Sequence, residues 1–209
     1  MKSFLVTALR TVLLFACAAQ VVLAQGNDAP FGLSWGLSAE DLRARGVNLA
    51  QTKRESEFTF FSATKVPTAI SIAEKYSIIV HDRHGLQKLA MHSENFNNDP
   101  SGADGKKIYA EYKAALASKY GPPDSSYSRE IVGLKLYKER DEFYECLKYT
   151  GCGMWSSLWS LPNGGTIGLE LKGINRGTGW LNLTYEGPRW SDAVDNVKAN
   201  RSAQDRKAL

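Results

Sequence analysis

The chain has 209 residues, of which 43% are hydrophobic and 23% are charged, and its formal net charge is +4. This length is enough for one domain, which buries about 70% of the surface of its unfolded chain. Because the net charge is small, the composition lacks the large excess of basic residues that is typical of nucleic-acid-binding proteins.

The first 24 residues have the order of a secretory signal peptide. Lys2 and Arg10 supply positive charge, residues 11–22 form a short apolar stretch, and a small-residue cleavage site ends at Ala24. We therefore expect cleavage after Ala24, a mature chain with a net charge of +2, and a periplasmic or secreted location. Two alternatives stay open: the segment is retained as a membrane anchor, although its apolar run is shorter than the roughly 20 residues of a span, or a lipoprotein is cut before Cys17.

The first half of the mature chain predicts a short helix, several strands and one long helix. The short helix begins at Ser38, whose hydroxyl can cap it, and ends near Gly46. Apolar side chains recur on one stripe between Lys106 and Tyr120, which predicts the long helix, and two prolines end it. Strands are predicted between these helices at residues 57–63, 68–73, 75–81 and 86–93.

The second half reads mainly as strands, followed by a last helix from Ser191 to about Lys198. Residues 134–149 fit either a helix or a pair of strands. Strands are predicted at residues 125–132, 155–161, 166–171 and 180–185.

Cys146 and Cys152 are an even pair in a chain that is expected to reach an oxidising compartment. Glycines at positions 151 and 153 make a tight reversal easy, so we predict a disulfide bond between the two cysteines. The chain-entropy treatment gives about 2.4 kcal/mol for closing so short a loop. The alternatives are two free buried thiols or half of a metal site.

These segments favour an α+β fold in a single domain. Sequence-adjacent strands with short turns predict a mainly antiparallel sheet of about six to eight strands, with two or three helices packed on one face. Along the chain, residues 25–30 are predicted to be a flexible leader, residues 31–199 the single domain and residues 200–209 a basic C-terminal tail.

Two short patterns resemble catalytic or phosphate-binding motifs but lack the context these need. The S-x-x-K pattern at Ser62–Lys65 requires a helix, whereas it follows a predicted strand and Pro67 comes directly after it. The glycine-rich residues 164–168 have no lysine and precede a strand. We therefore assign no catalytic residue and no cofactor.

Two other groups of side chains resemble metal ligands only in composition. His81 and His84 fall at a predicted hairpin turn and His92 on a strand, without a third or fourth ligand at a recognisable spacing. Residues 97–104 are rich in Asn and Asp but lack the spacing of a calcium loop. We assign no metal site.

The aromatic residues of the second half form the candidate binding surface: Tyr149, Trp155, Trp159, Trp180 and Trp190. Exposed tryptophans stack on sugar rings or anchor protein interfaces. The alternative interpretation is that these side chains fill the core beside the disulfide bond.

Three short motifs carry a family resemblance. Residues 31–42 resemble the F-G-x-x-W-G-x-S-x-E entry motif of small exported bacterial proteins of unknown function. Residues 119–123 resemble the K-Y-G-x-P helix end of those proteins, and residues 181–185 resemble their final strand. The resemblance implies that the protein is bacterial and is located in the periplasm. It identifies no catalytic residue in this chain.

Export, small size and the lack of a catalytic set favour a non-enzymatic binding protein whose partner is another protein of the cell envelope. A specific version is an inhibitor or immunity protein against an envelope-acting toxin or hydrolase. One alternative is a glycan- or lipid-binding envelope protein that uses the tryptophan-rich surface, and another is a hydrolase with a non-standard site. The sequence leaves the oligomeric state open.

Overall fold

A computed structural model describes residues 27–208 of the chain, so the expected signal peptide at residues 1–24 lies outside the described residues. The helices are α1 (Ala39–Ala44), α2 (Ala103–Tyr120), α3 (Phe143–Lys148) and α4 (Trp190–Ala208). The strands are β1 (Asp28–Ala29), β2 (Leu33–Ser34), β3 (Ala50–Glu55), β4 (Phe58–Ala63), β5 (Ala73–His81), β6 (Gly85–Ser93), β7 (Arg129–Ile131), β8 (Met154–Ser160), β9 (Thr166–Asn175) and β10 (Thr178–Glu186).

Eight strands form one antiparallel sheet in the order β3-β4-β5-β6-β10-β9-β8-β7. The chain first runs as a meander from β3 to β6 and then crosses through α2 to the far edge of the sheet. It returns through β7, β8, β9 and β10, so that β10 closes the sheet against β6. β1 and β2 form a separate two-stranded pair.

Alternating apolar residues give this sheet one buried face, which we call the inner face. Ile78, Leu89, Leu169 and Leu183 lie on it and are almost completely buried. Burial of each such side chain contributes about 1.5–3 kcal/mol, and three helices supply the opposing apolar surface through Leu42 of α1, Leu116 of α2 and Tyr144 of α3. The predicted α+β class and the number of strands are confirmed; three helices pack on this face, whereas α4 lies on the other.

The other face of the sheet, the outer face, is only partly covered. Phe58 precedes the inward-pointing Phe61 by three residues along β4, and its ring therefore lies on the outer face. Trp190, at the start of α4, packs against Phe58 with 5.4 Å between ring centroids, and the Lys88 ammonium lies 4.9 Å from the centre of the indole. α4 thus covers the β4–β6 end of this face.

Two glycines let α3 approach the end of the β9–β10 hairpin. A side chain at Gly173 would meet the Tyr144 carbonyl oxygen at 1.8 Å, and one at Gly179 would meet the Tyr144 ring at 2.1 Å. The Tyr144 hydroxyl donates to the buried Asp99 carboxylate at 3.0 Å, which also accepts from the Gly105 amide at 3.1 Å. α3 and the start of α2 are therefore joined through one carboxylate.

Several predicted boundaries differ from the structure. Residues 68–72 are a loop rather than a strand, and the strand predicted at 125–132 is only the three-residue β7. The ambiguous residues 134–149 contain α3 after a short 3-10 turn. The last helix begins at Trp190 and runs through Ala208, far beyond Lys198, and neither of the two long helices in residues 27–208 is apolar enough to cross a membrane.

The predicted cysteine pair is confirmed: Cys146 and Cys152 are bridged, and their Cα atoms are 5.2 Å apart. Both side chains are buried, and the bridge joins the end of α3 to the residues that lead into β8. It therefore fixes the segment that lies beside the β7 edge of the sheet.

Candidate functional site

The aromatic residues proposed as one binding surface are divided between the two faces of the sheet. Trp155 and Trp159 point to the inner face, where Trp159 is only 2% exposed and its indole nitrogen donates to the Gly121 carbonyl at 2.9 Å. Trp159 is therefore a core residue and belongs to no binding surface.

Trp180 and Trp190 both lie on the outer face, but they have different surroundings. Trp180 precedes the inward-pointing Leu181, and its ring packs against His92 with 4.9 Å between centroids. Trp190 attaches α4 to the sheet, as described above. The sequence could not separate these roles, because a tryptophan has the same apolar character in the core as at a site.

The exposed large hydrophobic side chains are concentrated at the β7 edge of the sheet. Among the residues that the structure describes, eight such side chains are exposed, and Ile174 is the one that lies outside residues 127–154. We call the other seven the edge patch: Tyr127, Ile131, Val132, Leu134, Leu136, Tyr149 and Met154. Tyr149 is the one member that the sequence analysis identified; strand edges cannot be recognised before the pairing order is known.

The disulfide bond holds the Leu134–Leu136 part of the edge patch in place. The Gly133 amide donates to Cys146 Sγ at 3.1 Å, and the Leu134 amide donates to the Cys152 carbonyl at 2.9 Å. Cys152 Sγ also contacts the Leu136 carbonyl oxygen. Leu134 and Leu136 remain 60% and 61% exposed, so the bridge orders this segment without burying it.

A groove of about 370 Å³ runs beside the edge patch on the inner side of β7, and we call it the α2 groove. Its lining includes Lys106, Ala110 and Lys113 of α2, Glu130 of β7 and Trp155 of β8. The alanines and the indole make most of this surface apolar. The sequence analysis predicted this helix but not the groove.

Lys106 is the charged group that distinguishes the α2 groove. Its ammonium donates to the Ser101 carbonyl at 2.8 Å and lies 3.9 Å from the centre of the Phe143 ring and 5.2 Å from that of Trp155. Within residues 27–208 no carboxylate oxygen lies within 4.0 Å of it, whereas Lys113 is paired with Glu130. Burial lowers the pKa of Lys106 from its usual range, because desolvation disfavours the charged form.

The opposite edge of the sheet has a different surface. All six residues of β3 are exposed, and Lys53, Arg54 and Glu55 occupy half of the strand. Arg54 pairs with Asp82 at 2.7 Å, and Arg201 of α4 lies 3.7 Å from Glu55. Charged side chains on an edge strand oppose pairing with another chain, so the two edges of the sheet differ in their suitability for a partner.

The outer face contains a second concavity, of about 430 Å³, which we call the Trp180 pocket. Its lining includes Trp180, His92, Ser77, Lys75 and Asn95. Ser77 Oγ and His92 Nε2 are hydrogen-bonded at 2.7 Å. Burial is the main cause that lowers the pKa of His92, and Lys75 adds to it, so the imidazole is neutral at pH 7.

The Ser77–His92 pair was not predicted from sequence, and it lacks the remainder of a nucleophilic relay. A serine nucleophile needs a base that a third group orients. No carboxylate in residues 27–208 lies within 4.0 Å of a His92 ring nitrogen. The pair is therefore a polar, uncharged surface element.

The three histidines that were considered as metal ligands lie at two separate sites in the structure. His81 is fully buried, and its Nδ1 accepts from the amides of Arg83 and His84, so that Nε2 carries the hydrogen. Nε2 lies 3.3 Å from Glu57 Oε2 but makes no hydrogen bond in the described chain. His84 stacks on His81, whereas His92 belongs to the Trp180 pocket. The described part of the chain contains no group of three or more His, Cys, Asp or Glu side chains placed to hold a metal ion.

Comparison with models of protein families, with curated proteins and with solved structures gives no match for this chain.

Proposed function

We propose that this protein is a non-enzymatic binding protein that takes an extended segment of another protein at its β7 edge. One observation carries the proposal: seven of the eight exposed large hydrophobic side chains of the described residues lie in the edge patch. Contiguous exposed apolar surface is uncommon on proteins that act alone and marks interaction sites.

The geometry of β7 favours strand addition as the binding mode. β7 ends the sheet, and its three residues are all exposed. A partner segment that pairs with such an edge gains main-chain hydrogen bonds, and its alternate side chains point to opposite faces. One set would enter the α2 groove past Glu130, and the other would lie beside Ile131 and Met154 on the outer face.

The charge in the α2 groove indicates the chemistry of the segment. Lys106 presents an ammonium to an apolar surface with no carboxylate oxygen within 4.0 Å in the described chain, and the Asp99 carboxylate attracts it from farther away. Partial burial strengthens its attraction to an incoming anion. A partner segment with apolar side chains at alternate positions and one Asp or Glu over Lys106 satisfies both features of the groove.

The identity of the partner follows from the expected export of the chain. A protein that reaches the periplasm meets toxins and hydrolases that act on the envelope, and an inhibitor or immunity protein needs a binding surface rather than catalytic groups. We therefore propose that the partner is an envelope protein of this kind. The disulfide bond agrees with an oxidising compartment.

A photo-crosslinking experiment in the native host tests the proposal. A photoreactive phenylalanine analogue at Leu134, in the edge patch, is expected to give one discrete adduct with a different protein, and Lys106→Glu is expected to weaken it. The matched control carries the analogue at Gln51, which is exposed on the opposite edge strand. No adduct at Leu134, equal adducts at both positions, or only an adduct of two copies of this chain would contradict the proposal.

A further inference from the structure

The outer face of the sheet carries a row of polar side chains that no described helix covers. Cross-strand pairing aligns Lys75 with His92, His92 with Asn182, Asn182 with Glu170, and Glu170 with Ser156. We call these five residues the outer row. The Trp180 pocket lies at one end of the row, and a smaller concavity of about 290 Å³ that includes Asn182, Glu170 and Ser156 continues it.

The charges along this surface compensate one another. Lys172 lies 2.6 Å from Glu170, and Lys75 enters the Trp180 pocket beside Glu74. His92 adds no charge at neutral pH. The groups that remain to bind a ligand are the neutral donors and acceptors Ser77, His92, Asn95 and Asn182. Charge complementarity therefore favours an uncharged ligand that is rich in hydrogen-bonding groups.

One polar atom in the outer row has no partner. Asn182 Oδ1 is buried without a hydrogen bond, while the amide nitrogen of the same side chain donates to Thr184 Oγ1 at 3.1 Å. Leaving a buried acceptor unsatisfied costs about 1–3 kcal/mol. A small rotation of this side chain toward a hydroxyl donor on the outer face would remove that cost.

Trp180 adds an aromatic surface to these polar groups. The indole is half-buried against His92, and the pocket volume of about 430 Å³ lies within the range of roughly 300–1,000 Å³ found for small-molecule sites. We propose that the Trp180 pocket and the outer row bind an uncharged saccharide, with one sugar ring stacked on Trp180 and its hydroxyls bonded to His92, Ser77 and Asn182. A lipid chain would leave these polar groups without partners.

The Trp180 pocket is separate from the α2 groove, and saccharide binding there does not depend on the proposed protein-binding edge. Trp180 and the outer row lie on the outer face, whereas the α2 groove lies on the inner side. A saccharide in the Trp180 pocket and side chains in the α2 groove would therefore lie on opposite faces of the sheet, although Tyr127 and Met154 of the edge patch also line the concavity at the far end of the outer row.

Titration of the ¹⁵N-labelled protein with chitotriose and cellotriose, two uncharged trisaccharides, tests the proposal by NMR. We expect at least one of them to cause saturable shifts of the Trp180 indole resonance and of the amide resonances of β6 and β10. The indole resonances of Trp155 and Trp190 should not shift. Trigalacturonate, an anionic trisaccharide, is the comparator and is expected to bind at least about tenfold more weakly.

Two variants keep the outcome interpretable. Trp180→Ala is expected to weaken binding at least about tenfold, and Asn182→Ala keeps the indole but removes the amide, so a several-fold loss is expected there as well. Leu134→Asp, in the edge patch, should leave the titration unchanged. No saturable shift with either neutral sugar where millimolar affinities saturate, preference for the anionic sugar, or equal shifts in folded Trp180→Ala would overturn the proposal.

Discussion

At the scale of single residues, the strand glycines differ sharply in the room that each leaves for a side chain. A Cβ at Gly179 would lie 2.1 Å from the Tyr144 ring and 2.5 Å from the Lys172 carbonyl oxygen, whereas a Cβ at Gly168 would meet no atom within 4 Å. Gly179→Ala must push α3 away from the β9–β10 hairpin, and overpacking of this kind costs about 1–3 kcal/mol. We expect this loss in urea denaturation.

Gly168→Ala is the matched control, since it makes the same chemical change on the adjacent strand. It should leave the free energy of unfolding unchanged or raise it by up to about 1 kcal/mol, because glycine in a strand carries an entropic cost. Equal destabilisation by both variants would show that Tyr144 does not pack over Gly179.

The buried His81 and the half-buried His92 predict acid sensitivity. Burial is the largest cause that lowers the pKa of His81 and of His92; His84 and Arg83 add to it at His81, and Glu57 opposes it. The unfolded chain takes up these protons near the ordinary histidine pKa of 6.5, and the folded chain does so only at lower pH. Stability is therefore fully present above about pH 6.5 and is lost as the pH falls from there towards the folded pKa values.

Urea denaturation between pH 7.5 and pH 5 measures this loss for the wild-type chain and for His92→Gln. Glutamine keeps a hydrogen-bonding group near Ser77 but does not titrate, so the variant should lose less stability on acidification than the wild type. An identical pH dependence in the two proteins would contradict a depressed pKa at His92.

The tryptophans show what residue-level reasoning from sequence can and cannot achieve. The aromatic richness of the second half was visible, but Trp159 donates to the Gly121 carbonyl in the core while Trp180 faces outward. Alternation along one strand tells which residues share a face. It does not tell which face a helix covers, because that depends on pairing with distant strands.

At the scale of elements, the disulfide loop and β7 act together. The two bridged cysteines contact the backbone at Gly133, Leu134 and Leu136, and this segment carries two strongly exposed leucines of the edge patch. Reduction should lower the free energy of unfolding by about 2 kcal/mol, as expected for a short loop. It should also release residues 133–136 first, since they have little buried surface of their own.

Hydrogen exchange by mass spectrometry on the oxidised and the reduced protein checks this order. Peptides that cover residues 133–137 should gain deuterium faster after reduction, while peptides from β9 keep their protection. The double variant Cys146→Ser/Cys152→Ser should behave as the reduced protein does. Uniform loss of protection across the sheet would mean that the bridge supports the whole fold instead.

Elements with strong local signals were predictable, and those that depend on tertiary context were not. The periodic stripe predicted α2 to within three residues at its start, and the alternation in β9 and β10 predicted both strands. Residues 68–72 are mostly apolar or β-branched but form a loop. β7 pairs over only three residues, because the turn at Asp124–Ser128 provides the hydrogen-bond partners of the next part of β8. Neither the loop between β4 and β5 nor the shortness of β7 is indicated by the residues of those segments alone.

At the scale of the whole molecule, the two edges of one sheet have opposite surfaces. The meander from β3 to β6 leaves a charged edge, and the crossover through α2 sets β7 at the other edge. The sequence predicted an antiparallel sheet but not this order of strands, since a chain of hairpins fits several orders equally well. The location of the edge patch, and with it the candidate site, depends on that order.

The concentration of exposed apolar side chains at one edge of the sheet can be tested on the isolated protein, without knowing its partner. The native protein should bind the dye 8-anilinonaphthalene-1-sulfonate, because the edge patch places contiguous apolar side chains in solvent next to the basic α2 groove. Leu134→Ser/Leu136→Ser should reduce the dye fluorescence several-fold and leave the melting temperature within a few degrees, since both side chains are about 60% exposed. Ile174→Ser is the control, because Ile174 is also exposed but lies apart from the patch. A native protein that does not enhance the fluorescence, or an equal loss in the control, would show that these side chains do not form a shared apolar surface.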